Sequence, residues 1–164
     1  ENTYINVINN AKKYVYITTP YLIIDNELLT ALRIAAVSGI DVRILTPGIP
    51  DKRIVFYLTQ SYYRDLVKAG VKIYEYTPGF IHAKSIISDD EIALVGTVNL
   101  DYRSMYLHME LSCMMINASA IKDIKEDLDN TFALSKQITY HDIKKFSIFK
   151  KLIAFVLRIF SPLF

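Results

Sequence analysis

Two stretches of the chain follow one grammar, and that grammar restricts the fold more than anything else in the 164 residues. "YVYITT" (14–19) is aromatic and β-branched throughout, as a buried strand is, and it ends at Pro20. "NELLTALRIAAVS" (26–38) follows with apolar positions at helical spacing, Asn26 as the expected cap and Gly39 as the stop. "DVRILTP" (41–47) and "DKRIVFYLTQSYYRDLVKA" (51–69) repeat the pair, closed by Gly70, and "VKIYEY" (71–76) supplies a third strand. Strands that alternate with helices need a parallel or mixed sheet with helices packed on its faces. The expected class is α/β, in one domain of ordinary size.

From Ala83 the texture changes. "AKSIIS" and "EIALVGTV" flank Asp89 and Asp90, turn-forming residues that predict a hairpin. "ELSCMMI" (110–116) reads as another buried strand, and "SAIKDIKEDLDNTFALS" (119–135) as an amphipathic helix with Ser119 as its cap.

The hairpin carries the polar residues that an apolar sheet has no use for. Alternation along a strand predicts His82 and Lys84 on one face, and Thr97 and Asn99 on one face of its partner. A neutral imidazole near pH 7, an ammonium, a hydroxyl and an amide together suit a phosphodiester: the first attacks phosphorus or moves a proton, and the others hold its non-bridging oxygens. Glu110, at the start of the next strand, is placed to fix the imidazole tautomer. A lone histidine in an apolar strand is also compatible with a purely structural role. Lys84 argues against that, because an unpaired ammonium inside a sheet costs several kcal/mol.

These residues carry a family resemblance. "H-A-K-S-I-I-S-D" (82–89) fits the H-x-K-x-x-x-x-D signature of the phospholipase D superfamily, and "G-T-V-N" (96–99) its downstream G-[ST]-x-N element. "YEYTPGFIHAK", "VGTVNLDYRS", "LHMEL" and "TPYLI" resemble the second catalytic half of bacterial cardiolipin synthases over about residues 3–117, and "FSPLF" resembles their ending. The resemblance implies a phospholipase-D-like mixed sheet flanked by helices on both faces. It makes His82 the nucleophile or the general acid, and assigns the phosphate oxygens to Lys84 and Asn99 with Thr97 in support. Glu110 becomes the histidine's carboxylate partner and Asp89 a structural turn residue. No metal and no organic cofactor is implied. His108 stands where those enzymes commonly have asparagine, which places it at the rim of the site.

In-line displacement at phosphorus needs a group on each side of the phosphorus, and this chain has one motif. A second phospholipase-D-like half is therefore the expected partner, in a longer chain or as a homodimer mate. The implied reaction makes cardiolipin and glycerol from two phosphatidylglycerols. The rivals are a homodimeric phosphodiesterase, nuclease or phospholipase D hydrolase, and a membrane-binding module inactive without its partner. The start at Glu1, without Met or a signal-like run, suggests an excised piece with an anchor upstream, at the cytoplasmic face of a membrane.

Residues 141–164 read as a segment apart from the catalytic domain, residues 1–140. They hold five cations and one anion, a sum of +4 against −2 for the rest. That balance disfavours a nucleic-acid track on the domain. On a helical wheel Lys150, Lys151 and Arg158 share one arc, and Phe149, Ile153 and Phe160 belong to a wide apolar face. Such a helix is expected to lie on anionic phospholipid with its cations at the headgroups. The apolar content, 52% against 22% charged residues, agrees with burial outside the domain.

Overall fold

The structure, a computed structural model, describes residues 1–163; Phe164, the last residue of "FSPLF", lies outside them. In chain order the elements are α1 (Asn2–Asn10), β1 (Tyr14–Thr18), β2 (Leu22–Ile23), α2 (Asn26–Val37), β3 (Asp41–Pro47), α3 (Arg53–Lys68) and β4 (Lys72–Tyr76). Then come β5 (Ser85–Ser88), β6 (Ile92–Gly96), β7 (Leu100–Asp101), a π-helical turn (Arg103–Leu107) and β8 (Ser112–Ile116). The chain closes with α4 (Ala120–Ala133), β9 (Ser135–Ile138), α5 (Tyr140–Lys144), α6 (Ile148–Ile159) and a 3-10 turn (Ser161–Leu163).

Seven strands form one mixed sheet in the order β8-β6-β5-β1-β3-β4-β9. β1, β3 and β4 run parallel, as the strand–helix alternation requires, and the other four are antiparallel to their neighbours. Val15, Ile17, Val42, Ile44, Ile73 and Ile86 face α1, α2 and α3; Tyr14, Tyr16, Leu45, Ile87 and Ala93 face Ile121, Leu128 and Phe132 of α4. The sheet is thus covered on both sides, and its parallel strands are apolar on both faces for that reason. β2 and β7 make a separate two-stranded ribbon.

Local chemistry accounts for most of the boundaries. Gly39 and Gly70 end their helices with φ of 93° and 100°, a conformation that a side chain disfavours. The cap of α2 is Asp25, whose carboxylate accepts from the Leu28 N–H at 2.9 Å, and not Asn26, which is the first helical residue. Ser119 precedes α4 but its hydroxyl makes no capping bond.

The predicted hairpin is present, with a three-residue loop between Ser88 and Ile92 in which Asp89 and Asp90 are both left-handed (φ 57° and 61°). Asp89 also reaches across to β1, where its carboxylate accepts the N–H groups of Lys12 (2.6 Å), Lys13 (2.9 Å) and Tyr14 (2.9 Å). Burial works against its charge, but those three donors outweigh it and hold the carboxyl below the usual aspartate range. The turn is thereby fixed to the entry of the central strand. Asp89→Ala should lower the unfolding free energy by about 2 kcal/mol, as measured by chemical denaturation. Because the folded carboxyl is the stronger acid, its contribution is complete above the unfolded pKa and is lost as pH falls through the folded one. The difference between the two proteins should therefore shrink on acidification.

Candidate active site

The antiparallel hairpin turns at Asp89 and Asp90, so the residues just before β5 and just after β6 meet at its open end. His82 and Lys84 lie in irregular chain before β5, and Thr97 and Asn99 in irregular chain after β6. Their convergence does not come from strand alternation, as the sequence suggested, but from the two exits of the hairpin. β1 pairs with β5 so that Thr18 sits opposite Ser85, which brings the carboxyl end of a parallel strand to the same place. Ligand sites of open α/β sheets characteristically form there.

A cleft of about 830 Å³ opens at this end, lined by His82, Lys84, Thr97 and Asn99 on one side and by Asp123, Asp127 and Thr131 of α4 on the other. The His82 ring is exposed and stacks on Phe80, with centroids 5.5 Å apart. Lys84 curls back and donates to the His82 carbonyl oxygen at 2.6 Å. Burial pushes its ammonium below the usual lysine range, while Glu110 and Asp101 pull it back up. A half-buried cation with carboxylates only at a distance is well suited to receive an anion.

Glu110 has another partner than the expected one. Its carboxylate accepts from the Thr97 hydroxyl, and among the described residues no hydrogen bond joins it to His82. The Leu111 N–H donates to the Thr97 hydroxyl (3.0 Å), and the Thr97 N–H to the Leu111 carbonyl oxygen (2.9 Å). Thr97 is thus tied to the strand entry that carries Glu110. His108 sits with Glu110 on a separate cleft of about 440 Å³ beside α1, with its Nε2 at 3.2 Å from Arg103, and not at the rim of the His82 cleft. His141 lies on α5, on the surface. Asp89 is at the opposite end of β5 from His82.

Gly96 explains how β8 approaches so closely. A Cβ built there would lie 2.2 Å from the Leu111 carbonyl oxygen and 2.6 Å from Ser112 Cα. The Ser112 hydroxyl, at 2.5 Å, could rotate away, but the backbone on either side of it could not.

Sequence reasoning missed Thr18 and the α4 wall. The signals existed: Thr18 ends a parallel strand, and Asp123, Asp127 and Thr131 recur every four residues, which is one helical face.

A mixed α/β sheet with His, Lys, Thr and Asn at the exits of one hairpin defines a phospholipase-D-like domain. A family profile described as "cardiolipin synthase, PLD-like domain" matches residues 4–132, and the chain belongs to that family. A protein of Streptococcus mutans described as uncharacterized is 50% identical over 99% of this chain and 35% of its own length. The cardiolipin synthase of Alkalihalophilus pseudofirmus is 45% identical over 98% of this chain and 32% of its own length. The chain spans about a third of the length of the curated relatives it matches. Among solved structures, the phosphatidylserine synthase of Haemophilus influenzae superposes with a TM-score of 0.75 at 16% identity, over 97% of this chain and 41% of its own. That likeness is one of fold.

Gly96→Ala should destabilise the domain by about 1–3 kcal/mol, through the forced separation of β6 and β8. Thermal melting read alongside the amide signals of Thr97 and Leu111 should show both the loss and its location.

Proposed function

We propose that this chain is one half of a phosphatidyl-transferring site, the half that supplies His82, and that the complete site makes cardiolipin and glycerol from two phosphatidylglycerols. The observation that carries the reading is the meeting of His82, Lys84, Thr97 and Asn99 on one cleft that holds a single motif histidine. The relatives' greater length leaves room for a second half, and a homodimer mate is the alternative source. Lys84 and the Asn99 amide hold the non-bridging phosphate oxygens, and Thr97, fixed by Glu110, supports them.

One histidine attacks phosphorus as the P–O bond to the departing glycerol breaks, and the other gives that oxygen its proton. The hydroxyl of the second phosphatidylglycerol then attacks. Its proton passes to the acid–base histidine as the P–N bond breaks. His82 and the histidine of the second half account for each transfer, with no organic cofactor or metal assigned a role.

The test is mass spectrometry of phosphatidylglycerol vesicles after incubation with this chain joined to its second half. Cardiolipin should form, and His82→Ala should lower its rate roughly a hundredfold to ten-thousandfold. Formation by the chain alone as a dimer would identify the mate as a second copy. Absence of cardiolipin from every assembly would refute the reading.

The membrane face is part of the same proposal, with the apolar face of α6 outward as expected but with Lys150 and Arg158 turned to the protein and not to headgroups. α6 turns two cations of its arc toward the domain: Arg158 pairs with Asp65 at 2.8 Å and lies 4.5 Å over the Tyr62 ring, and Lys150 sits 3.9 Å over Phe146. Burial holds the Lys150 ammonium below the usual lysine range, with Glu75 opposing. Ile148, Phe149, Leu152, Ile153, Phe155, Ile159 and Phe160 point outward instead. Lys144, Lys145 and Lys151 remain exposed around that face. Among the described residues no helix is long and apolar enough to cross a membrane. We assign α6 to the surface of an anionic bilayer at the cytoplasmic side, inserted by its apolar face and flanked by those three lysines, with any spanning anchor elsewhere in the longer protein. Sedimentation with phosphatidylglycerol vesicles should drop severalfold for a Phe149→Ser, Phe155→Ser double variant. Lys150→Gln should change it little.

A further inference from the structure

We propose that the wall of the His82 cleft formed by Thr18, Asp123 and Asp127 is a subsite for a small hydroxyl-bearing alcohol, the group that leaves or attacks at phosphorus. This rests on the phosphatidyl-transfer reading and adds to it where the alcohol is held.

Thr18 is 2% exposed, lines the cleft, and its hydroxyl has no hydrogen-bond partner. A buried hydroxyl at the end of a central strand is rarely left unpaired in a native fold, unless a ligand or water completes it. The neighbouring Thr19 shows the contrast, since its hydroxyl donates to the Tyr21 carbonyl oxygen (2.7 Å) and accepts the Leu100 N–H (3.1 Å). Thr19 is spent on structure, and Thr18 is free.

The buried amide oxygen of Asn99 is also unpartnered and belongs to the same cleft. As an acceptor it needs a donor, which a phosphate oxygen is not and an alcohol hydroxyl is. Asn99 thus has two uses: its NH₂ for the phosphate and its oxygen for the alcohol beside it.

Across the cleft Asp123 and Asp127 make no ion pair or side-chain hydrogen bond among the described residues. Their charge repels phosphate, so the phosphate belongs at Lys84 and the neutral remainder of the headgroup at the α4 wall. Carboxylates accept hydrogen bonds from hydroxyls, so the hydroxyl groups of the alcohol are held at that wall. The cleft is of the size that takes a headgroup and not phosphate alone. No bond changes at this wall, which positions the alcohol.

The experiment uses the chain joined to its second half, with cardiolipin vesicles as phosphatidyl donor and labelled glycerol as acceptor. It reads the KM for glycerol and the ratio of phosphatidylglycerol to phosphatidic acid formed. The Asp123→Asn, Asp127→Asn double variant should raise that KM about tenfold and lower the ratio about as much, the loss of one good hydrogen bond to a charged group. Thr18→Val should shift both in the same direction and should melt no lower than the parent, since it removes a hydroxyl that nothing in the fold satisfies. An unchanged KM and ratio in both variants overturns the subsite and leaves phosphatidyl transfer standing. So does a Thr18→Val protein that melts well below the parent, because the hydroxyl would then be structural. If the parent forms only phosphatidic acid, the transfer reading fails and takes the subsite with it.

Discussion

The antiparallel pairing of β5 with β1 is the constraint on which the rest of the molecule depends. Three parallel strands joined through helices would otherwise present their carboxyl ends to solvent with no polar equipment. Laying β5 against β1 in the opposite sense puts the start of β5 at the end of β1, and hairpin closure then returns the end of β6 to the same spot. The Asp89 carboxylate secures the other end by collecting three successive N–H groups at the entry of β1. Asp89, at the far end of β5 from the cleft, thus ties down the register that brings His82, Lys84, Thr97 and Asn99 together. A one-residue slip would turn every buried side chain of β5 to the opposite face.

The hydrophobic pattern left different things undetermined in different places. Strand–helix alternation and the glycine stops were legible because they follow from local preferences. The hairpin was legible because Asp89 and Asp90 tolerate left-handed backbone. His82, Lys84, Thr97 and Asn99 were readable from motif spacing, although the strand geometry used to bring them together does not hold. α1, β9, the β2–β7 ribbon and the π-helical turn were not legible. The ribbon is two residues per strand, and β9 ("SKQI") has little apolar content, so neither leaves a periodic trace. Thr18 was visible only as a strand end; its unpaired hydroxyl is a fact of packing that no one-dimensional pattern records.

α6 shows the same limit from another side. A helical wheel separates two faces but does not say which one meets the protein. Here the surface of α3 offers Asp65 and the Tyr62 ring, so a guanidinium packs inward with both its charge and its plane matched. The aliphatic and aromatic residues are left outside. The outward apolar face agrees with the sequence reading, whereas the placing of Arg158 and Lys150 at headgroups does not, because what a cation pairs with belongs to the neighbour and not to the helix.

The two borders of the seven-stranded sheet differ in kind. β9 ends one side with Lys136 and Gln137 exposed, the polar dressing that discourages a stranger strand. β8 ends the other with Met114 and Ile116 turned to solvent and an unused row of backbone donors and acceptors. Growth of the sheet is therefore one-directional. Fusion tags, surface immobilisation or crystal engineering are better placed at the β9 border, whereas a linker ending near β8 would lie beside the border open to strand addition.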